Sequence, residues 1–294
     1  YTTRGFLSSV APELFIGLDT VSIIDSLRVI WPGGKTQKLN TIISNQKITL
    51  DYKNASGDFY DSIQITPITR FINDTLIPFR HNENATVEFS RNPLVPYSST
   101  NLSKAIRVGD INNDGLKDFI TLGAKSQITS LQLQTTLGKF TQKELPNDRT
   151  HAIAEDIDAI IFDANGDELN DLIIVSGGNE IQTGSALQPR LYLNTQEGLK
   201  QAEKAFDNIF VNASTVRAVD LDQDGDLDLS ITSDVIPQEF GTTPQQYLFS
   251  NDGAGNFSNI SKSYSSDFTA IGNVRDIQWQ DIDNNGYPDA VVAG

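Results

Sequence analysis

Between residues 98 and 294 the hydrophobic positions come in short runs, not in the three-to-four spacing of amphipathic helices. Phe119-Ile-Thr-Leu122, Leu172-Ile-Ile-Val175, Leu229-Ser-Ile-Thr232 and Ala290-Val-Val-Ala293 are rich in β-branched residues and sit among polar turns. Such runs predict strands. Further strands are expected at Ser130-Leu-Gln-Leu133 and Lys139-Phe-Thr-Gln142, at Arg190-Leu-Tyr-Leu-Asn194 and near Ala202, and at Gln246-Tyr-Leu-Phe249 and Asn256-Phe-Ser-Asn-Ile260. Gly-rich turns such as Asn251-Asp-Gly-Ala-Gly255 join them as hairpins. Four strands per unit, without helices, recurring about every 50–60 residues, is the signature of stacked β-blades.

Each apolar run is preceded by an acidic loop. The clearest is Asp220-Leu-Asp-Gln-Asp-Gly-Asp-Leu-Asp228, with acidic side chains at positions 1, 3, 5 and 9 and Gly225 at position 6. Alternate oxygens on a tight turn can wrap a hard cation, and the absence of His and Cys from the set favours calcium over zinc or copper. The candidate side-chain ligands are Asp220, Asp222, Asp224 and Asp228, with the backbone carbonyl of Asp226 at position 7. The first loop offers Asp110, Asn112, Asp114, Leu116 (carbonyl) and Asp118. The second offers Asp163, Asn165, Asp167, Leu169 (carbonyl) and Asp171, and the fourth Asp281, Asp283, Asn285, Tyr287 (carbonyl) and Asp289. Up to four structural Ca²⁺ ions are expected.

The second loop departs from the others. Its glycine, Gly166, stands at position 4, and Glu168 occupies position 6, where a positive φ is disfavoured for a side-chain-bearing residue. It is expected to bend differently or to bind more weakly. None of the four is an EF-hand. Position 12 is Thr121, Ile174, Ile231 or Val292 instead of a bidentate Glu, and a strand follows instead of a helix.

Residues 1–57 differ in character. Val21-Ser-Ile-Ile24, Leu27-Arg-Val-Ile-Trp31 and Ile48-Thr-Leu-Asp-Tyr52 read as strands, Pro32-Gly33-Gly34 as a turn, and Lys35-Thr-Gln-Lys-Leu39 as a return strand. The expectation is a small antiparallel β domain in which Trp31 packs. Residues 58–97 carry prolines and little periodicity and read as a connector covering the first blade. Its His81-Asn-Glu-Asn84 and Glu88-Phe-Ser-Arg91 mix polar and aromatic residues.

Composition narrows the class. The chain has 294 residues, 38% hydrophobic, with no Cys or Met and a net charge of −16. No apolar run is long enough to span a membrane as a helix. The acidity argues against a nucleic-acid partner, because phosphate binding needs a basic surface. Four calcium ions would neutralise about half of it. Weak calcium loops fill where calcium is near millimolar, so an extracellular or cell-surface location is expected.

Two resemblances add to this reading. Thr3-Arg-Gly-Phe-Leu-Ser-Ser9, Phe15-Ile-Gly-Leu18 and Asp25-Ser-Leu-Arg-Val-Ile-Trp-Pro-Gly-Gly-Lys-Thr-Gln37 resemble the ASPIC/UnbV domain. The acidic loops, the apolar strand behind each, and the Asn-Asp-Gly-x-Gly-x-Phe turn resemble FG-GAP/VCBS repeats, like the blades of integrin α-subunit heads and cartilage acidic protein. The resemblance implies an all-β chain, with an ASPIC/UnbV-like domain at 1–57, a connector at 58–97 and a partial β-propeller of four-stranded calcium-loop blades at 98–294. Family members carry strands before the Arg-Gly segment and commonly seven blades. The expectation is therefore a parent longer at both ends, by roughly 200 residues beyond Gly294.

The implied function is binding, adhesion or scaffolding, through propeller loops that take a protein or glycan ligand. By family analogy it extends to an outer-membrane accessory lipoprotein beside a nutrient importer. One alternative is a polysaccharide-degrading enzyme. No nucleophile elbow, P-loop or HExxH is present. His151, Glu155, Asp156 and Asp158 form the one polar cluster outside the loops, and Asp158 and Asp276 occupy equivalent positions five residues before a loop. That pair could serve acid–base hydrolysis, or instead cap backbone groups and pair with Arg217 or Arg275. The other alternative is a purely structural subunit of a surface complex. Asn54, Asn73, Asn84, Asn101, Asn212 and Asn259 head N-x-Ser/Thr sequons, which carry glycans in a eukaryotic secreted protein.

Overall fold

The computed structural model describes residues 13–60, 76–85, 88–90, 93, 98, 100, 106–146, 152–153 and 155–294. The chain divides into two compact units, 1–73 and 74–294. In the first, β1 (Ile23–Ile30) turns through Trp31–Gly34 into β2 (Lys35–Ile43), with Leu27 opposite Leu39 and Ile24 opposite Ile42. Gly34, at φ 83°, makes the reversal that a Cβ would strain, and its N–H reaches the Trp31 carbonyl at 2.8 Å. The third strand, β3, is Ser56–Asp58. Two expectations are corrected here. Residues 23–30 form one continuous strand where two were expected, and 48–52 form none. Tyr52 instead opens a 3₁₀ turn, and its ring meets the Trp31 indole edge-on at 5.5 Å. Trp31 therefore packs, as its apolar surroundings suggested.

In the second unit three four-stranded antiparallel sheets follow one another in strict chain order. They comprise β4 (Ile106–Gly109), β5 (Asp118–Thr121), β6 (Ser130–Thr136) and β7 (Lys139–Glu144); then β8 (Glu155–Phe162), β9 (Asp171–Gly177), β10 (Arg190–Leu193) and β11 (Lys200–Gln201); then β12 (Thr215–Val219), β13 (Asp228–Thr232), β14 (Tyr247–Asn251) and β15 (Phe257–Asn259). A two-stranded sheet of β16 (Asp276–Gln280) and β17 (Asp289–Ala293) completes the described array. The first strands of successive sheets, β4, β8, β12 and β16, lie side by side. This is the all-β, propeller-type arrangement of meander blades packed face to face.

Strand β9 shows why its run is apolar throughout. Its side chains alternate between faces. Leu172 and Ile174 enter the core shared with the first sheet, beside Ile120, Leu131 and Tyr192. Ile173 and Val175 enter the core shared with the third, beside Val216, Leu229, Ile231 and Phe249. A sheet covered on both faces has no polar side to write into its sequence. The junction beyond is more mixed. Leu221, Leu248, Phe268 and Ile277 are buried there, and Trp279 Nε1 donates to Ser230 Oγ at 2.9 Å.

A repeated backbone bond links the blades. A carbonyl at or just past the end of the second strand of one sheet accepts the N–H just before or at the start of the next sheet's first strand. The pairs are Gly123 with Asp156 (2.9 Å), Ser176 with Ala213 (2.9 Å) and Ser233 with Val274 (3.0 Å). Two four-residue helices, Ser261–Tyr264 and Ser266–Thr269, interrupt the meander after β15, against the expectation of a helix-free repeat. Among the described residues no helix is long and apolar enough to cross a membrane.

Candidate metal centres

Each acidic loop connects the first strand of a blade to its second, and all four share one backbone. Position 4 is left-handed in every loop, with Asn113, Gly166, Gln223 and Asn284 at φ 55°, 73°, 65° and 60°. Position 6 is left-handed too, with Gly115, Glu168, Gly225 and Gly286 at φ 82°, 67°, 98° and 91°. The second loop thus does not bend differently. Glu168 adopts the conformation that glycine adopts elsewhere, at the cost of a Cβ crowded against its own carbonyl.

Side chains at odd positions organise these turns. The position-1 carboxylate accepts backbone N–H groups from further along its loop. Asp110 takes them from Asp114 (3.2 Å) and Gly115 (2.9 Å). Asp163 takes them from Gly166 (2.8 Å) and Glu168 (2.8 Å), among others. Asp220 takes them from Gln223 (2.7 Å) and Gly225 (3.3 Å), and Asp281 from Asn285 (3.1 Å) and Gly286 (2.9 Å). Position 3 accepts from the N–H of position 5, through Asn112, Asn165, Asp222 and Asp283 at 3.1–3.2 Å. Position 5 accepts from the N–H of position 7, so that Asp114, Asp167, Asp224 and Asn285 hold Leu116, Leu169, Asp226 and Tyr287 at 2.8–2.9 Å. This nested set of Asx turns folds the oxygens inward.

The result is convergence. Carboxylate oxygens of Asp220, Asp222 and Asp224 lie within 4.8 Å of one another, as do those of Asp281, Asp283 and Asp289. Three like charges so close repel unless a cation sits among them. The donors are all hard oxygens, which fits a calcium-type ion and would suit a thiolate- or imidazole-seeking metal poorly.

Position 9 has a second role that sequence reasoning missed. Asp118, Asp171 and Asp228 are wholly buried, each opening its blade's second strand. One oxygen accepts the N–H of position 2, from Ile111, Ala164 and Leu221, all at 2.9 Å. The other accepts an N–H of the third strand, from Gln134 (2.8 Å), Asn194 (2.6 Å) and Asn251 (2.8 Å). Each carboxylate therefore staples its loop to two strands. Burial pushes Asp171 and Asp228 above the ordinary carboxylate range, and those backbone donors oppose the rise. In the fourth loop Asp289 accepts from Ile282 (2.9 Å) and stays only partly buried.

Two buried asparagines extend the pattern between blades. Asn194 Nδ2 donates to the Ile111 carbonyl of the preceding loop and to Asn170 O at 3.1 Å. Asn251 Nδ2 does the same to Ala164 O (2.8 Å) and Leu227 O (3.3 Å). Their sequence signal is an Asn ending the third strand of two successive repeats.

The polar cluster away from the loops is built into the blade junctions. Asp158 is fully buried and accepts from Arg107, Arg217 (2.9 Å), Thr215 Oγ1 (2.6 Å) and Ala159 N (2.8 Å). Asp276 accepts from Arg217 at 2.5 Å. Arg275 instead lies 3.6 Å from Asp234. Asp156 accepts from Thr129 (2.5 Å), Ser176 (2.9 Å) and Arg190. Glu155 is 2% exposed, and neither of its oxygens has a hydrogen-bond partner among the described residues. Burial, with Glu83, Glu180 and Asp156 nearby, pushes it up to about 8. His151 lies outside the described residues.

The connector is bonded to the first two blades at the strand ends remote from the acidic loops. His81 Nδ1 meets the Leu122 carbonyl at 3.0 Å, Asn84 donates to Glu180 at 2.8 Å, and Asn179 donates to the buried Glu88. Of the sequons, Asn54 and Asn259 are exposed and Asn84 is half-buried. Asn212 is 7% exposed and bonded through both side-chain atoms, to Asn179 N and Val235 O, which closes it to a glycan. Asn73 and Asn101 lie outside the described residues.

Residues 1–57 match the ASPIC and UnbV family, and residues 163–231 match the FG-GAP-like repeat family. No curated protein matches the chain. Together the two matches point to a β-propeller-type binding or scaffold protein, and neither family is typically enzymatic.

Proposed function

We propose that this chain is a calcium-stabilised, extracellular or cell-surface module that binds a protein or glycan through its propeller loops and is not an enzyme. The observation that carries the reading is the fourfold recurrence of one loop backbone, with carboxylate oxygens brought within 4.8 Å of one another in the third and fourth copies. Asp220, Asp222 and Asp224 would hold an ion in the third loop, and Asp281, Asp283 and Asp289 one in the fourth. The equivalent residues would do so in the first two. The bound ion neutralises the clustered charge and ties the start of the loop to its end. Its binding free energy thereby becomes folding free energy.

The glycan-cleaving alternative has lost support. Its two carboxylates, Asp158 and Asp276, share the Arg217 guanidinium, and Asp158 has no accessible surface from which to reach a substrate. An accessory role beside an outer-membrane importer stays within the proposal, as one form of surface scaffold.

The test is thermal unfolding of the complete protein in millimolar calcium and then in excess chelator. The expected result is a large fall in melting temperature, reversed by calcium and not by magnesium. An unchanged melting temperature would overturn the calcium reading and the extracellular assignment that leans on it. Pull-downs and glycan arrays run with and without calcium then test the binding role. Turnover of a polysaccharide would overturn the non-enzymatic one.

A further inference from the structure

Position 4 of the acidic loops carries no proposed ligand atom, yet in two loops its side chain reaches the next loop along the array. Asn113 Nδ2 donates to the backbone carbonyl of Glu168, at 2.8 Å. Gln223 Nε2 donates to the backbone carbonyl of Gly286. Both acceptors stand at position 6 of the following loop. The N–H of that same residue holds the position-1 carboxylate: Glu168 N lies 2.8 Å from Asp163 Oδ2, and Gly286 N 2.9 Å from Asp281 Oδ2. An amide fixed in one loop therefore fixes the residue that aims the first ligand of the next.

Among the described residues, the second and third loops are joined only as the first and second also are, by a third-strand asparagine (Asn251 on Ala164 O and Leu227 O, as Asn194 on Ile111 O and Asn170 O), and lack the position-4 bridge. Position 4 there is Gly166, which has no side chain and faces the Gly253 carbonyl of the neighbouring hairpin turn. The first and second loops have an additional tie, because Asn170 Nδ2 donates to the Asp110 carbonyl at 2.7 Å.

We infer that the metal loops fill as two coupled pairs, the first with the second and the third with the fourth, with Asn113 and Gln223 as the positioning residues. The inference rests on the calcium reading above. Ordering one loop about an ion pre-orders its partner, so the second ion binds to a loop that has already given up part of its freedom. One neutral hydrogen bond corresponds to roughly a two- to tenfold coupling in affinity.

The test is a calcium titration of the complete protein, followed loop by loop through amide hydrogen exchange, for the wild type and for Asn113→Gly, Gln223→Gly and Asn284→Gly. Glycine keeps the left-handed backbone and removes only the amide. Asn284 holds the same position and conformation in the fourth loop without an inter-loop bridge among the described residues, so it serves as the matched control. In the wild type the third and fourth loops should gain protection together. Gln223→Gly should separate their midpoints by roughly two- to tenfold. Asn113→Gly should separate the first and second loops by less, because Asn170 remains. Asn284→Gly should leave all midpoints in place. If Gln223→Gly behaves like Asn284→Gly, or if the second and third loops fill together as closely as the third and fourth, the pairing is overturned. A wild type with no calcium-dependent protection in any loop would instead remove the calcium reading, and the pairing with it.

Discussion

Arg217 holds Asp158 across the junction of the second and third blades, with Nη1 2.9 Å from Oδ2. Its other nitrogen reaches Asp276 in the fourth sheet, while Arg107 of the first holds the opposite oxygen of Asp158. Strands β4, β8, β12 and β16 are thus joined by a chain of alternating charges. The carboxylate that looked most like a catalyst by position is fully buried and held by two guanidinium groups, a hydroxyl and a backbone N–H.

Replacing Asp158 with Asn should therefore be a stability lesion. It leaves two guanidinium groups facing a neutral amide, in a place where removing one partner of a buried pair costs about 3–5 kcal/mol. Urea unfolding of the calcium-loaded protein should show the midpoint fall by a corresponding amount. A variant as stable as the wild type would refute this account of the junction.

Glu168→Gly should stabilise the protein. A side chain in the left-handed region costs roughly 1–2 kcal/mol, and the extra unfolded-state freedom of glycine takes back about 0.4–1 kcal/mol. The net gain is about 0.5–1 kcal/mol. Gly166→Ala, at a φ of 73° with the added Cβ in ordinary contact with the Gly253 carbonyl at 3.5 Å, should move stability the other way. Chemical denaturation at fixed calcium reads both.

Stability should fall as pH rises from about 5 to 8, in part through Glu155. Its folded pKa of about 8 lies above the ordinary 4.5. Below 4.5 both folded and unfolded states are protonated. Between the two values the unfolded chain ionises while the folded one stays neutral, so each pH unit weakens folding by up to about 1.4 kcal/mol. The carboxylates of Glu83, Glu180 and Asp156 contribute, after burial, to that raised value. Glu155→Gln should flatten this part of the profile and raise the melting temperature at pH 8, measured in saturating calcium.

Asn251→Ala should cost about 1–3 kcal/mol, because it strips the donor from the buried Ala164 carbonyl of the preceding loop and from the part-buried Leu227 carbonyl. Hydrogen exchange should rise around Ala164 as well as around Asn251. Loosening confined to the third blade would show that the inter-blade bond is idle.

Much of this was legible beforehand because both main signals are local. The loops announce themselves by carboxylate spacing. The second strands do so by apolar runs that are buried on both faces, as Leu172–Val175 are between two cores. Features that depend on partners distant in sequence were not legible. Nothing in Asp228 says that it reaches the N–H of Asn251, and nothing in Glu168 says that its loop will impose a glycine's conformation. The helices at 261–269 are too short for a 3.6-residue period to register. Tyr52 was read as a strand residue from its apolar neighbours, when its ring was needed against Trp31.

The alternating charges also act as an ordering key. Near-identical repeats invite misassembly, since any sheet offers its neighbour much the same apolar face. A chain that skipped its second blade while folding would set Arg107 against Arg217. One that skipped its third would set Asp158 against Asp276. Each error brings like charges together at the blade junction, so the junction that binds the correct neighbours also rejects the next-nearest ones.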